Sequence, residues 1–151
     1  MARALAAAAE AASLGEVPVG AVVTRGGVVI AVAANAPRRL HDPTAHAEIL
    51  AIREAAEQGI TDLRGFDAYV TAYPCPMCLG ALYYAQPDRV IYAVSREEEG
   101  EHYEDGNRLM SLATFYDEYA KAPEDRALAA EPGHVEGATA PFADWTARHS
   151  S

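Results

Sequence analysis

The sequence predicts an α/β protein in which a mixed sheet carries helices on its faces. Three observations predict it: two β-rich runs joined by Arg25-Gly26-Gly27, alternating helix-like and strand-like stretches after them, and glycine or proline at most junctions. The chain has 151 residues, half of them apolar and 23% charged, a balance that fits one globular domain spanning 1–151 and excludes global disorder.

Arg3 to Leu14 is alanine-rich and predicts a helix that stops at Gly15. Val17 to Thr24 and Val28 to Ala33 predict a hairpin, because the intervening glycines supply the positive φ that a tight turn needs. After a polar stretch from Asn35, the run Asp42-Pro43-Thr44 starts a helix over Ala45 to Gln58, with Ile49, Ile52 and Ala56 on one face and Gly59 as its stop. Ala68 to Ala72 predicts a strand, Pro74 to Gln86 a helix and Arg89 to Val94 a strand. Beyond it the chain turns acidic: Arg96 to Glu131 holds eleven acids against four bases. A helix over Asn107 to Lys121, a weak strand at His134-Val135 and a short helix with Phe142 and Trp145 complete the prediction.

Composition restricts function. The formal net charge of −10, with Lys121 the only lysine, argues against a nucleic-acid partner held by its phosphates. No apolar run reaches the roughly 18 residues of a membrane span, and the alanine-rich start, interrupted by Glu10, reads as a helix and not a signal peptide. Two cysteines three residues apart do not make a secreted disulfide framework, so a cytoplasmic protein is expected. Cys75 and Cys78 are then a metal pair, a redox pair or two packed thiols.

Their context is informative. His46-Ala47-Glu48 opens one predicted helix and Pro74-Cys75-Pro76-Met77-Cys78 opens the next. His-x-Glu followed by Pro-Cys-x-x-Cys is the signature of zinc deaminases. The chemistry suits it: two thiols one helical turn apart and one imidazole make three zinc ligands, leaving a position for water. Glu48 lies two residues from His46, close enough to exchange a proton with that water.

With Val17-Pro18-Val19-Gly20-Ala21-Val22-Val23 and Asp42-Pro43-Thr44 added, residues from about 15 to 95 resemble the cytidine deaminase-like superfamily, in the branch of guanine deaminases, tRNA adenosine deaminases and cytosine deaminase. Phe115-Tyr116-Asp117-Glu118 and Pro141-Phe142-Ala143-Asp144-Trp145 are similar to the end of guanine deaminases. The resemblance implies a three-layer α/β/α sandwich around a five-stranded mixed sheet. It implies one zinc per chain on His46, Cys75 and Cys78, with Glu48 as proton shuttle. It puts Asn35 and Ala47 against the base and an acidic residue, Glu104 or Asp105, facing the ring. Tyr73 stands where many relatives carry glutamate and Tyr84 where guanine deaminases tend to carry tryptophan; both are expected to line the pocket. The segment 132–151, with Trp145, is expected to cross over in a homodimer and close the partner's site.

The expected activity is hydrolytic deamination of a free nucleobase or related heterocycle (guanine-like, cytosine-like or an s-triazine) with release of ammonia. The alternatives are adenosine deamination in tRNA and a non-catalytic, zinc-stabilised binding module.

Overall fold

A computed structural model describes residues 1–104, 109, 111, 113–128, 130–133 and 135–149. They divide into two compact units, Met1–Tyr116 and Asp117–Ser151.

The first unit holds α1 (Ala2–Ser13), β1 (Gly20–Arg25), β2 (Val28–Ala34), α2 (Pro37–Leu40), α3 (Ala47–Glu57), β3 (Asp67–Ala72), α4 (Pro76–Ala85), β4 (Arg89–Val94) and α5 (Arg96–Gly100). The sheet runs β2-β1-β3-β4, with both pairs involving β1 antiparallel and β3–β4 parallel. The β1–β2 turn is made at Gly26 and Gly27, both at positive φ, as a two-residue hairpin requires. The parallel pair needs a crossover, and α4 supplies it.

Three layers result. Alternation along β1 sends Gly20 toward α1 and Ala21 and Val23 into the cluster shared with Ala47, Ala51 and Ala55 of α3. On α1, the buried alanines Ala4, Ala7, Ala8 and Ala11 recur at helical spacing and let the helix lie close to the strands. The approach at Gly20 is so tight that a Cβ there would stand 2.1 Å from the Ala4 carbonyl oxygen. Only glycine fits.

The order α-β-β-α-β-α-β predicted through Val94 is observed, with one short helix, α2, added. The first predicted strand loses Val17–Val19, because Pro18 offers no N–H to a ladder. The fifth strand is a correction: the sheet has four strands among the described residues. After β4 the chain enters α5, whose capping box pairs the Ser95 side chain with the Glu98 N–H and the Glu98 carboxylate with the Ser95 N–H, which favours helix over strand. Of His134-Val135, His134 lies outside the described residues and Val135 accepts a turn bond from the Ala138 N–H.

Of the predicted helix over Asn107 to Lys121, the described residues show α6 (Phe115–Ala120); residues 107, 108, 110 and 112 lie outside them. The second unit ends in α7 (Ala140–His149), as predicted. No described helix is long and apolar enough to cross a membrane.

Candidate active site

Antiparallel pairing of β1 with β2 and β3 brings the end of β2, the start of β1 and the end of β3 to one edge of the sheet. The residues just outside those strands therefore converge there: Asn35 after β2, Val19 before β1, Tyr73 after β3. The starts of α3 and α4 meet at the same edge. His46 occupies the residue before α3 and Cys75 the residue before α4, both extended, and Cys78 lies in the first turn of α4.

His46 Nδ1 is 3.7 Å from Cys75 Sγ and 3.5 Å from Cys78 Sγ. Tetrahedral zinc, with Zn–S of about 2.3 Å and Zn–N of about 2.0 Å, places nitrogen and sulfur ligands roughly 3.6 Å apart. The observed separations fit that ion. His46, Cys75 and Cys78 are the group among the described residues that could hold a metal, their ligand atoms all lying within 4.8 Å of one another.

The two thiols are unequal. The hydrogen bond from the Cys78 thiol, helped by His46, holds Cys75 down at about 4, well below an ordinary thiol. The same bond pushes Cys78 up. Cys75 is thus the more acidic of the two, and the thiolate is the ligating form.

Glu48, in the first turn of α3, is 5% exposed. Burial above all raises its carboxyl above the usual range, with the Cys75 charge adding to the effect. Its Oε2 is buried with no hydrogen-bond partner, an expensive arrangement unless a ligand completes it.

These groups open onto a cleft of about 920 Å³. Val17, Val19, Asn35 and Pro37 form part of its wall, and Tyr73, Met77, Tyr103 and Phe115 form another part. Asn35 is buried, and its Oδ1 accepts the Ala47 N–H at 2.7 Å, which ties the cleft wall to the first turn of α3. Tyr73 packs edge-on against Tyr92 and Tyr116, with ring centroids 5.0 and 6.3 Å away. The Tyr116 hydroxyl, pushed up to about 12 by burial, donates to the Pro74 carbonyl at 3.0 Å and so pins the peptide that carries Cys75.

The site residues expected from sequence divide. His46, Glu48, Cys75, Asn35 and Tyr73 line the cleft, and Cys78 sits behind it, buried. Ala47 is buried and contributes its backbone N–H to Asn35. Tyr84 is 90% exposed and off the cleft. Cys78, Leu82 and Ala85 are the buried positions of α4, and Tyr84 points away from them on the helical wheel. Glu104 is exposed and lines a neighbouring hollow with Arg96 and Glu101. Asp105 lies outside the described residues. Trp145 is in the second unit, stacked on His149 at 4.3 Å. Sequence reasoning missed Glu99, Tyr103 and Phe115 on the cleft. The apolar pattern around Phe115 was the available signal; nothing marked the other two.

A three-layer α/β/α sandwich with imidazole and two thiols at paired helix starts, and a buried carboxylate beside them, defines a zinc-dependent hydrolase of the deaminase class. Residues 1–94 match the model of the cytidine and deoxycytidylate deaminase zinc-binding region. The chain belongs to that family and carries one zinc. It is 36% identical to the guanine deaminase of Bacillus subtilis over 129 residues, covering 85% of this chain and 79% of that protein. A crystal structure of guanine deaminase from the same organism superposes with a TM-score of 0.87 at 34% identity, over 97% of this chain and 90% of that one. The tRNA-specific adenosine deaminase of Agrobacterium fabrum is 44% identical over 114 residues, 75% of this chain and 74% of that protein.

Proposed function

We propose that the protein hydrolyses the exocyclic amino group of a free nucleobase, guanine-like first, exchanging C–NH2 for C=O and releasing ammonia. The carrying observation is the buried, unpartnered Glu48 Oε2 beside the imidazole–dithiol group and open to the cleft. His46, Cys75 and Cys78 hold the zinc. Bound there, zinc supplies Lewis acidity that brings the pKa of water near 7. Glu48 accepts one proton from water at Oε2 and passes it to a ring nitrogen of the base, then takes the second proton from the hydroxyl now on carbon and gives it to the amino group, which leaves as ammonia as C=O forms. Its raised pKa suits a group that must both take and return a proton.

Asn35 has spent Oδ1 on the Ala47 N–H, so it offers the base its Nδ2 donor and favours a ring that presents an acceptor. Tyr73, held by two neighbouring rings, presents an aromatic wall to the base. We place the reaction in the cytoplasm, where free thiols persist. We also propose that residues 132–151 serve a second copy of the chain, since Phe142 and Trp145 are 74% and 59% exposed. Covering such rings is worth on the order of 2 kcal/mol each.

Ammonia release from guanine, cytosine, adenine and an amino-s-triazine, with inosine formation in tRNA measured in parallel, tests the reading. Turnover of a free base with no inosine is expected; inosine without base turnover overturns it. The tRNA reading draws support from the Agrobacterium fabrum relative but faces the net charge of −10. A binding module without catalysis would have no use for the buried Glu48 carboxylate.

A further inference from the structure

Four polar residues are buried in the described part of the chain: Glu16, Asn35, Glu48 and Thr71. Three have evident work. Glu48 faces the metal group, Asn35 caps α3, and Thr71 Oγ1 accepts the Gly20 N–H at 3.0 Å. Glu16 remains. It sits in the turn between α1 and β1, 7% exposed.

Among the described residues its carboxylate is not paired with a side-chain cation. Oε2 accepts the Arg38 backbone N–H at 3.2 Å and Oε1 accepts the Arg39 backbone N–H at 2.8 Å. Beside it, the Gly15 carbonyl accepts Arg38 Nη1 at 3.1 Å. A buried carboxylate is costly, and two charge-assisted bonds to backbone offset that cost only while the backbone stays put. An apolar side chain would pack against the same turn more cheaply but could not fix the position of residues 38 and 39. The carboxylate therefore specifies geometry.

What it fixes is one wall of the cleft. Val17 and Val19 follow Glu16 directly, and Pro37 and Arg38 lie on the segment it holds; all four line the cleft. That segment is tied onward in series. The Ala36 N–H donates to the Ala45 carbonyl at 3.0 Å, and Asn35 Oδ1 holds the Ala47 N–H, on either side of His46. α2 has only four residues, too short to keep its own shape without such a tether.

We propose that Glu16 is a positioning residue: its two carboxylate oxygens clamp residues 38 and 39 and so hold the cleft wall against which the base is seated. Its bearing on turnover rests on the deaminase reading; the clamp does not. Hydrogen exchange of wild type, Glu16→Gln and Glu16→Ala, without substrate, reads the clamp alone. Residues 36–41 should exchange at least tenfold faster in Glu16→Ala, with Glu16→Gln between, while β1 exchanges as in wild type and zinc stays near one per chain. With the base that wild type turns over, KM should rise about tenfold in Glu16→Ala and kcat should change less than threefold.

Unchanged exchange at 36–41 overturns the proposal, as does a fall in kcat at constant KM. Loss of the fold in the isosteric Glu16→Gln also overturns it, because Glu16 would then support the whole unit. A wild type that releases no ammonia from any base defeats the deaminase reading and leaves the exchange result to decide the clamp.

Discussion

The two units of the chain are held by different forces. In Met1–Tyr116 small apolar side chains close on both faces of a sheet, and most of the buried side chains are alanine or valine. In the described part of Asp117–Ser151 every residue but Glu118 and Arg126 is exposed. That unit is organised by polar links. Glu118 accepts from Lys121 and from the Ala127 N–H, and the Arg126 guanidinium donates to the carbonyls of Lys121 and Tyr119. Packed apolar area sets stability in the first unit, while exposed ion pairs and single hydrogen bonds contribute little and yield easily. The difference teaches where substitutions will register.

The largest effect belongs to the carboxylate at the metal group. Glu48→Gln should lower turnover by about 10²–10⁴-fold, the range of a lost general acid–base, while zinc by elemental analysis stays at about one per chain. His46→Ala should lose the zinc. Substantial activity in Glu48→Gln would leave the proton shuttle without a residue.

One substitution placed in both regions sharpens the contrast. A Cβ at Gly20 meets the Ala4 carbonyl, whereas a Cβ at Gly133 meets nothing within 4 Å. Gly20→Ala should cost about 2–3 kcal/mol and lower Tm by roughly 5–12 °C; Gly133→Ala should change Tm by less than about 1 °C. Equal shifts would mean that the second unit is packed as tightly as the first.

The same contrast sets what the sequence makes legible. Through Val94 every long element is legible, because apolar spacing and glycine or proline stops report packing on a sheet. The small helices are not: α2 and α5 bury no residue, so no periodicity marks them. Ser95 and Glu98 did spell a capping box for α5, a signal that could have been read. At the site, the metal group and Glu48 are legible because chemistry dictates residue type and spacing. Tyr84 misleads because motif position carries no helix face, and the role of Glu16 is not legible because its partners are backbone N–H groups of residues 38 and 39.

Deleting residues 141–151 should leave zinc at about one per chain, since His46, Cys75 and Cys78 all precede the cut. Activity should fall between about tenfold and a hundredfold if this segment closes a site against water. Mixing Glu48→Gln chains with truncated chains should then restore part of the activity. Heterodimers that form without activity would show that the segment serves its own chain.

The smallest effect compares one polar link from each unit. In the first, Arg64 beside Asp62 holds its carboxyl down at about 2, from an ordinary 3.8, helped by the Arg64 backbone N–H. The folded state thus favours the carboxylate. Its contribution is fully present above about pH 4 and is lost as pH falls toward 2. Asp62→Asn should therefore melt slightly below wild type at pH 6, with the gap narrowing between pH 4 and 3. In the second unit, Lys121 and the Ala127 N–H likewise hold the Glu118 carboxyl below its ordinary value. Glu118→Gln should leave the main Tm unchanged, because the core of the first unit sets it, yet speed tryptic cleavage after Lys121 and Arg126. A Tm loss in Glu118→Gln larger than that in Asp62→Asn would break the distinction, making the polar links of the second unit part of the cooperative fold.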